Sequence, residues 1–316
     1  MFSVPDDFRT GPFRRSRALR SGIPARVLEG VQFRRLHKGV YCHRHHAMTF
    51  EDWITAALLA LPDRARTTGI TRLQQGGLDH GPRAPLHFVV EGDLHLTLEG
   101  VFLHRTVLMP PHDDDGVTIE AAFIAYCAEA RVIDVIKVGS LLRHTGEMSL
   151  EKLEALVAEQ PWRRGAVETR WVLPHLDDRC RSLPEAELLA LLRFAGLPEP
   201  EVNRTVELAP GRPVTPDLWW ERYRCAAEYE GSQHQEDRGQ YNADIDRYLL
   251  YRRNDAGYAQ VTKERLRSPR AAVRHVHAEL VDRGYDGPSP DFGELWSPLF
   301  TRLSDVVRPG RVRRAA

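Results

Sequence analysis

Short apolar runs separated by Gly, Pro and charged residues organise this chain, with no long periodic stretch. Alternation of apolar and polar positions predicts strands at Leu86–Val90, Leu94–Leu98, Val101–His104, Glu201–Leu208, Asp217–Trp220, Tyr223–Glu230 and Gly257–Thr262. Val31–Leu36 and Gly39–Tyr41 read as a hairpin turning at His37-Lys38. Apolar residues three and four apart predict helices at Phe13–Leu19, Ala25–Glu29, Phe50–Leu61, Ile70–Gln75, Val117–Ala130 and Val132–Leu142. A helix opening at Ser149 follows, then one from Ser182 to Phe194, another from about Gln240 to Arg253, and a last one from Pro269 to Asp282. Ser182 with Glu185 fits a capping box. Helices and strands that follow one another in separate groups predict an α+β multidomain chain.

The length of 316 residues allows two or three domains, and 42% hydrophobic with 28% charged residues fits a folded globular chain. No apolar run approaches the length of a membrane span, because Trp53 to Leu61 is broken by Pro62. The first residues lack the basic-then-apolar pattern of a secretory leader. Cys42, Cys127, Cys180 and Cys225 lie far apart without a CxxC pair, so the expectation is reduced thiols in a cytoplasmic protein that does not meet a membrane.

The net charge of zero hides an uneven distribution. Residues 1–46 carry ten Lys and Arg against three acids, Asp6, Asp7 and Glu29, which points to an anionic partner. Two small helices followed by a basic hairpin predict a winged helix-turn-helix over 1–46, with the second helix in the major groove of double-stranded DNA. Arg14, Arg26, Arg34, Arg35 and Lys38 are the candidate DNA-binding residues, the last three as phosphate contacts of the wing. Cys42-His43-Arg44-His45-His46 offers four metal-ligand types, but no second ligand pair stands out, so it reads as a polar loop. His87, His95 and His104 fall on separate predicted strands and read as single half-exposed residues. His112-Asp113-Asp114-Asp115 lacks the spacing of a calcium loop and reads as a solvated turn.

The sharpest chemistry lies in Asp217-Leu218-Trp219-Trp220 and Glu228-Tyr229-Glu230-Gly231-Ser232-Gln233-His234. Alternation puts Glu228 and Glu230 on one face of a strand, with Asp217 in reach at the start of the neighbouring strand. Three carboxylates and an imidazole on one patch repel unless a hard divalent cation offsets them.

Two resemblances add to this reading. Arg35-Leu36-His37-Lys38-Gly39-Val40-Tyr41 resembles the wing of AbiEi-type antitoxin proteins, and the run from Val117 to Gly146 resembles their linker domain, although an Arg near Glu120 and an Asp near Ser140 are missing. Residues Cys180 to Arg283 resemble the Vsr-like endonuclease domain often fused behind such winged helices. The pattern of a helix Glu, a strand Asp, Glu-x-acid-Gly-x-x-His and Asp-x-x-Arg falls on Glu185, Asp217, Glu228 to His234, and Asp244 to Arg247. The resemblance implies a winged helix over 1–46, a mixed α/β middle domain over 47–177, a PD-(D/E)xK (restriction-endonuclease-like) core over 178–286 and a basic tail over 287–316.

It also implies a Mg²⁺-dependent (or Mn²⁺-dependent) DNA endonuclease or nickase. Asp217 and Glu228 would hold the metal with a carbonyl near Tyr229. Glu185, Glu230, His234 and Arg247 would complete the catalytic set, His234 accepting the water's proton or donating to the leaving group, and Arg247 pairing with Asp244 or steadying a phosphate. Glu230 stands where these enzymes carry Lys or Asp, and Val214-Thr215-Pro216 replaces a basic residue before the strand Asp. The alternative is an antitoxin-like DNA-binding regulator with a cognate toxin as partner and an inactive nuclease fold.

Overall fold

The computed structural model describes residues 2–230 and 248–308, so His234 and Arg247 lie outside the described residues. The chain is mixed α/β and divides into two compact units, Met1–Tyr126 and Cys127–Ala316.

The first unit opens with β1 (Pro12–Arg14), α1 (Arg15–Arg20), α2 (Ala25–Leu28), β2 (Phe33–His37) and β3 (Val40–His43). The strands form an antiparallel sheet in the order β1-β3-β2. A helix over Phe13–Leu19 was expected, but Phe13 belongs to β1, opposite Tyr41. The reason is tertiary: Phe13 enters a small core with Phe8, Ala18, Ile23, Leu28, Phe33 and Tyr41, which one continuous helix would not reach. Phe8 and Phe33 both meet the Phe13 ring edge to face, at 4.9 and 5.6 Å.

The rest of this unit comprises α3 (Phe50–Ala60), β4 (Arg66–Thr67), α4 (Gly69–Gln75), β5 (Leu86–Glu91), β6 (Val101–Thr106) and α5 (Ile119–Cys127). Thr49 caps α3 in a full capping box with Asp52. β5 and β6 run parallel, and β4 joins antiparallel to β5. The strand expected at Leu94–Leu98 does not form. A parallel pair obliges the chain to travel back along the sheet. Residues 92–100 make that return, and Leu98 packs against the core of Ile54, Ala57, Leu61 and Phe88.

The second unit begins with α6 (Val132–His144), α7 (Leu150–Glu159), α8 (Ala166–Val172) and α9 (Leu183–Phe194). Its sheet has the order β12-β11-β10-β7, built from β7 (Glu201–Val202), β10 (Leu218–Trp220), β11 (Cys225–Glu230) and β12 (Gly257–Thr262). β7–β10 and β10–β11 are antiparallel and β11–β12 is parallel. The single strand expected over Glu201–Leu208 is broken at Asn203, whose φ of 50° is left-handed. Past the break, β8 (Val206–Ala209) and β9 (Arg212–Val214) make a separate hairpin that turns at Gly211, φ 71°.

α10 (residues 248–253) precedes β12. α11 (Lys263–Leu266) and α12 (Pro269–Asp282) follow it. α9 and α12 pack on one side of the sheet. Val206, Leu208 and Tyr251, from the hairpin and α10, pack with Trp219 and Ala226 on the other. Leu218–Trp220 and Cys225–Glu228 are therefore buried on both faces, as a covered central strand requires. α13 (Leu303–Val307) ends the described chain, with Trp296 buried before it and Arg308 bonded to Glu168. The basic end beyond residue 308 lies outside the described residues.

Two polar anchors hold α9. Lys137 on α6 reaches Glu187 on α9 at 2.7 Å. Asp177, whose side chain is 6% exposed, receives Arg179 at 2.7 Å and Arg193 of α9 at 2.9 Å. The Asp177 N–H donates to Ser140 Oγ at 3.0 Å. Burial pushes the Asp177 carboxyl up, but the bonds from Arg179 and Arg193 outweigh it and hold the pKa at about 2, against an ordinary 3.8. A depressed folded-state pKa contributes stability that is full above the unfolded value and is lost as pH falls through the folded one. Urea unfolding is expected to show about 2 kcal/mol lost from this group between about pH 4 and about pH 2. Asp177→Asn removes that part of the pH dependence.

Candidate active site

β10 and β11 pair with Leu218 opposite Ala227, Trp219 opposite Ala226 and Trp220 opposite Cys225. One further step along this register sets Asp217 across from Glu228, on the face that carries Trp219 and Ala226. Asp217 Oδ2 accepts the backbone N–H of Tyr229 at 2.7 Å, so the two strands are tied again beyond their ladder. Burial raises the Tyr229 phenol above its ordinary pKa, with Glu187 and Glu264 adding to the rise and Arg267 opposing it.

Glu228 is 7% exposed. A carboxylate at that depth needs donors to remain ionised. Tyr251 of α10 donates to Oε1 at 2.9 Å and Tyr258 of β12 to Oε2 at 3.3 Å. The two tyrosine rings stack with centroids 5.0 Å apart. Glu230 lies two residues on, on the same face, and accepts from Gln260 Nε2. Its strand partner on β12 is Thr262, while Glu228 pairs with Gln260.

Glu185, in the first turn of α9, is 9% exposed. Its carboxylate accepts the Arg181 N–H at 2.9 Å, the Ser182 hydroxyl at 2.8 Å and Asn203 Nδ2 at 2.9 Å. The expected capping box is half formed: Ser182 Oγ accepts the Glu185 N–H at 3.3 Å, but the Glu185 carboxylate takes the N–H of Arg181 in place of that of Ser182, and it also anchors Asn203. The N–H of Asn203 in turn donates to the Asp217 carbonyl at 2.9 Å. Asn203 thus couples the start of α9 to the strand that carries Asp217.

Asp217, Glu228 and Glu230 therefore share one face, and Glu185 is linked to them through Asn203. Mg²⁺ needs only one or two protein carboxylates, with water and phosphate oxygens completing its shell. Asp217 and Glu228, each oriented by a backbone or phenol donor, fit that requirement. Among the described residues no group of three or more His, Cys, Asp or Glu converges on one point.

Sequence reasoning did not identify Asn203, Tyr251, Tyr258 or Gln260. Tyr258 and Gln260 alternate on β12 in phase with Glu228 and Glu230 on β11, which is a visible signal. The parallel register that makes the phase meaningful is not.

The basic residues of the first unit divide by use. Arg14 donates to the Leu59 carbonyl at 3.1 Å and pairs with Asp63 at 2.9 Å, fastening β1 to α3. Arg34 donates to Cys42 Sγ at 3.0 Å and to the His46 carbonyl at 2.7 Å. His46 also pairs with Asp52 at 2.8 Å, so Cys42 and His46 serve different contacts. Arg35 reaches only the His37 carbonyl, at 3.3 Å, and Arg26 and Lys38 are exposed. Of the three histidines expected on separate strands, His87 on β5 and His104 on β6 meet at 3.0 Å, while His95, on the return segment between them, pairs with Asp93.

No protein-family model matches the chain. It is similar to two uncharacterized proteins of Mycobacterium tuberculosis, from strains CDC 1551 / Oshkosh and ATCC 25618 / H37Rv. Each is 39% identical over 149 residues, covering 43% of this chain and 55% of the relative. The chain thus spans about half the length of these curated relatives. No helix among the described residues is long and apolar enough to cross a membrane. All four cysteines are buried and unpaired, and burial pushes the thiols of Cys127, Cys180 and Cys225 up to about 12.

Tyr251→Phe removes one donor from a buried carboxylate while keeping the ring. It is expected to destabilise the protein by about 2 kcal/mol in urea unfolding. An unchanged midpoint would show that Glu228 does not depend on the phenol.

Proposed function

We propose that the chain is a Mg²⁺-dependent (or Mn²⁺-dependent) DNA endonuclease or nickase of the Vsr-like, PD-(D/E)xK type, aimed by an N-terminal winged helix. The observation that carries this reading is the facing pair of Asp217 and Glu228 on adjacent antiparallel strands. Of the elements around them, those that build the sheet and its covering helices, α9, β7, β10, β11, α10, β12 and α12, come in the helix–three strands–helix–strand–helix order of that core, with the β8–β9 hairpin and α11 inserted, and this supports it. The β1-β3-β2 sheet with α1 and α2 inserted after β1 supports the winged helix in the same way.

In this reading Asp217 and Glu228 hold the cation. A cation held there by Asp217 and Glu228 would supply Lewis-acid chemistry, polarising a phosphoryl oxygen and lowering the pKa of a bound water. Tyr251 and Tyr258 orient the Glu228 carboxyl by donating to its two oxygens. The Tyr229 N–H aims Asp217, and Asn203 holds Glu185 and the Asp217 backbone in fixed relation. His234 takes the proton from the attacking water, and Arg247 steadies a phosphate. Glu230 acts without a lysine at its position, and Gln260 fixes its carboxylate.

One observation favours a second reading, that of an antitoxin-like regulator with an inactive nuclease fold. Both Glu228 oxygens are already bonded to tyrosines, and Glu230 is bonded to Gln260. In that reading the carboxylates hold the sheet together and the winged helix does the work.

Purified protein is expected to nick supercoiled plasmid with Mg²⁺, and Asp217→Asn or Glu228→Gln to lower the rate by about 100-fold or more. Nicking that survives both changes would sink the nuclease reading. Separately, Arg34→Ala with Lys38→Ala is expected to weaken DNA binding and to make its dependence on log salt concentration shallower by about 2. An unaltered salt slope would remove the hairpin from the interface.

A further inference from the structure

A second basic surface lies in the unit that carries the carboxylates. Arg181, Arg212 and Arg253 line a groove of about 940 Å³, together with Val214, Leu249 and Leu250. All three arginines are exposed. None has an acidic partner among the described residues. Other arginines of this unit are engaged: Arg179 and Arg193 with Asp177, Arg204 with Glu201, and Arg283 with Asp255. Three guanidinium groups converging on one hollow repel each other, and a ligand with several negative charges relieves that repulsion.

The groove is built from the elements that cover the Asp217 and Glu228 face. Arg212 and Val214 come from β9, and Val214 precedes Asp217 by three residues. Leu249, Leu250 and Arg253 come from α10, which also supplies Tyr251 to Glu228. The Arg181 N–H bonds Glu185. The groove therefore shares its walls, the β8–β9 hairpin and α10, with the cover of the carboxylate face, although no carboxylate lines it. The guanidinium fork matches successive phosphate oxygens better than a point charge does.

We propose that this groove carries the sugar–phosphate backbone of duplex DNA on one side of the phosphate presented to Asp217 and Glu228. It rests on the nuclease reading for the identity of its ligand. Arg181, Arg212 and Arg253 are positioning residues, and they also supply the positive charge missing at Val214-Thr215-Pro216. This contact is separate from that of the basic hairpin of the first unit.

The test uses the full chain and a fluorescent duplex of about 20 base pairs, with Ca²⁺ replacing Mg²⁺ so that nothing is cut. Binding is measured against salt for the wild type, for Arg181→Gln/Arg212→Gln/Arg253→Gln and for the matching triple Lys variant. The Gln variant is expected to bind about tenfold more weakly or worse, with a slope against log salt shallower by up to about 3. The Lys variant should keep the wild-type slope and lose only a few-fold in affinity, since charge remains and the fork does not. An unchanged slope in the Gln variant overturns the proposal. So does a Lys variant that fails as badly as the Gln variant with a lowered melting temperature, which would make the arginines structural. Competition by poly-glutamate as strong as that by DNA at equal charge also overturns it, in favour of an acidic protein ligand. If wild-type protein fails to cut but the slope changes as expected, the groove stands and the nuclease reading falls. If the Gln variant cuts at the wild-type rate, the reverse holds.

Discussion

The second unit is arranged around one carboxyl group held inside a covered sheet. Glu228 lies between two layers of packed side chains, and an isolated charge there would be strongly unfavourable. Its stability requires Tyr251 and Tyr258 together. Tyr258 reaches it only because β12 runs parallel to β11 in this register. Tyr251 reaches it only because α10 lies over the same face as the β8–β9 hairpin. The chain excursion between β11 and β12, the hairpin and the two aromatic rings are thus all tied to a single side chain. Replacing that Glu with an apolar residue would leave the buried Tyr251 hydroxyl without its acceptor, so carboxyl and phenols stand or fall together.

The same logic explains the coupling around Asp217. A left-handed residue at Asn203 breaks the first strand, and that break frees an amide to bond Glu185 and a backbone N–H to bond Asp217. The helix that begins at Ser182 is fastened at both ends of its inner face, by Glu185 near the carboxylates and by Glu187 and Arg193 toward α6 and Asp177. Acidic groups that belong to the scaffold and acidic groups suited to chemistry are therefore neighbours. They differ in their partners: Asp177 has two arginines, whereas Glu228 accepts from two phenols.

In the first unit the apolar pattern was enough to place the hairpin, α2, α3 and α4, because each carries its own turn and cap signals. It failed at Phe13, where three residues join a strand whose partner lies nearly thirty positions away, at Tyr41. It failed again at Leu94–Leu98, where an alternating segment serves as the return path of a parallel pair. Alternation reports that one side of a segment faces apolar surroundings, and a packed coil such as the one carrying Leu98 satisfies that equally well.

The sequence alone determined that the chain is a mixed α/β protein, where most helices begin, and that Asp217, Glu228 and Glu230 would fall on one face. Helix caps and strand alternation are local, so they are written into neighbouring residues. Tertiary structure alone decided which groups meet those carboxylates. Tyr251 comes from α10, Tyr258 and Gln260 from β12, and Asn203 from the break after β7, and strand register and helix docking, both set by long-range packing, bring them into place. The convergence of Arg181, Arg212 and Arg253 on one groove has the same origin, since they lie far apart in the chain and only the packing of α10 against the β8–β9 hairpin makes them neighbours.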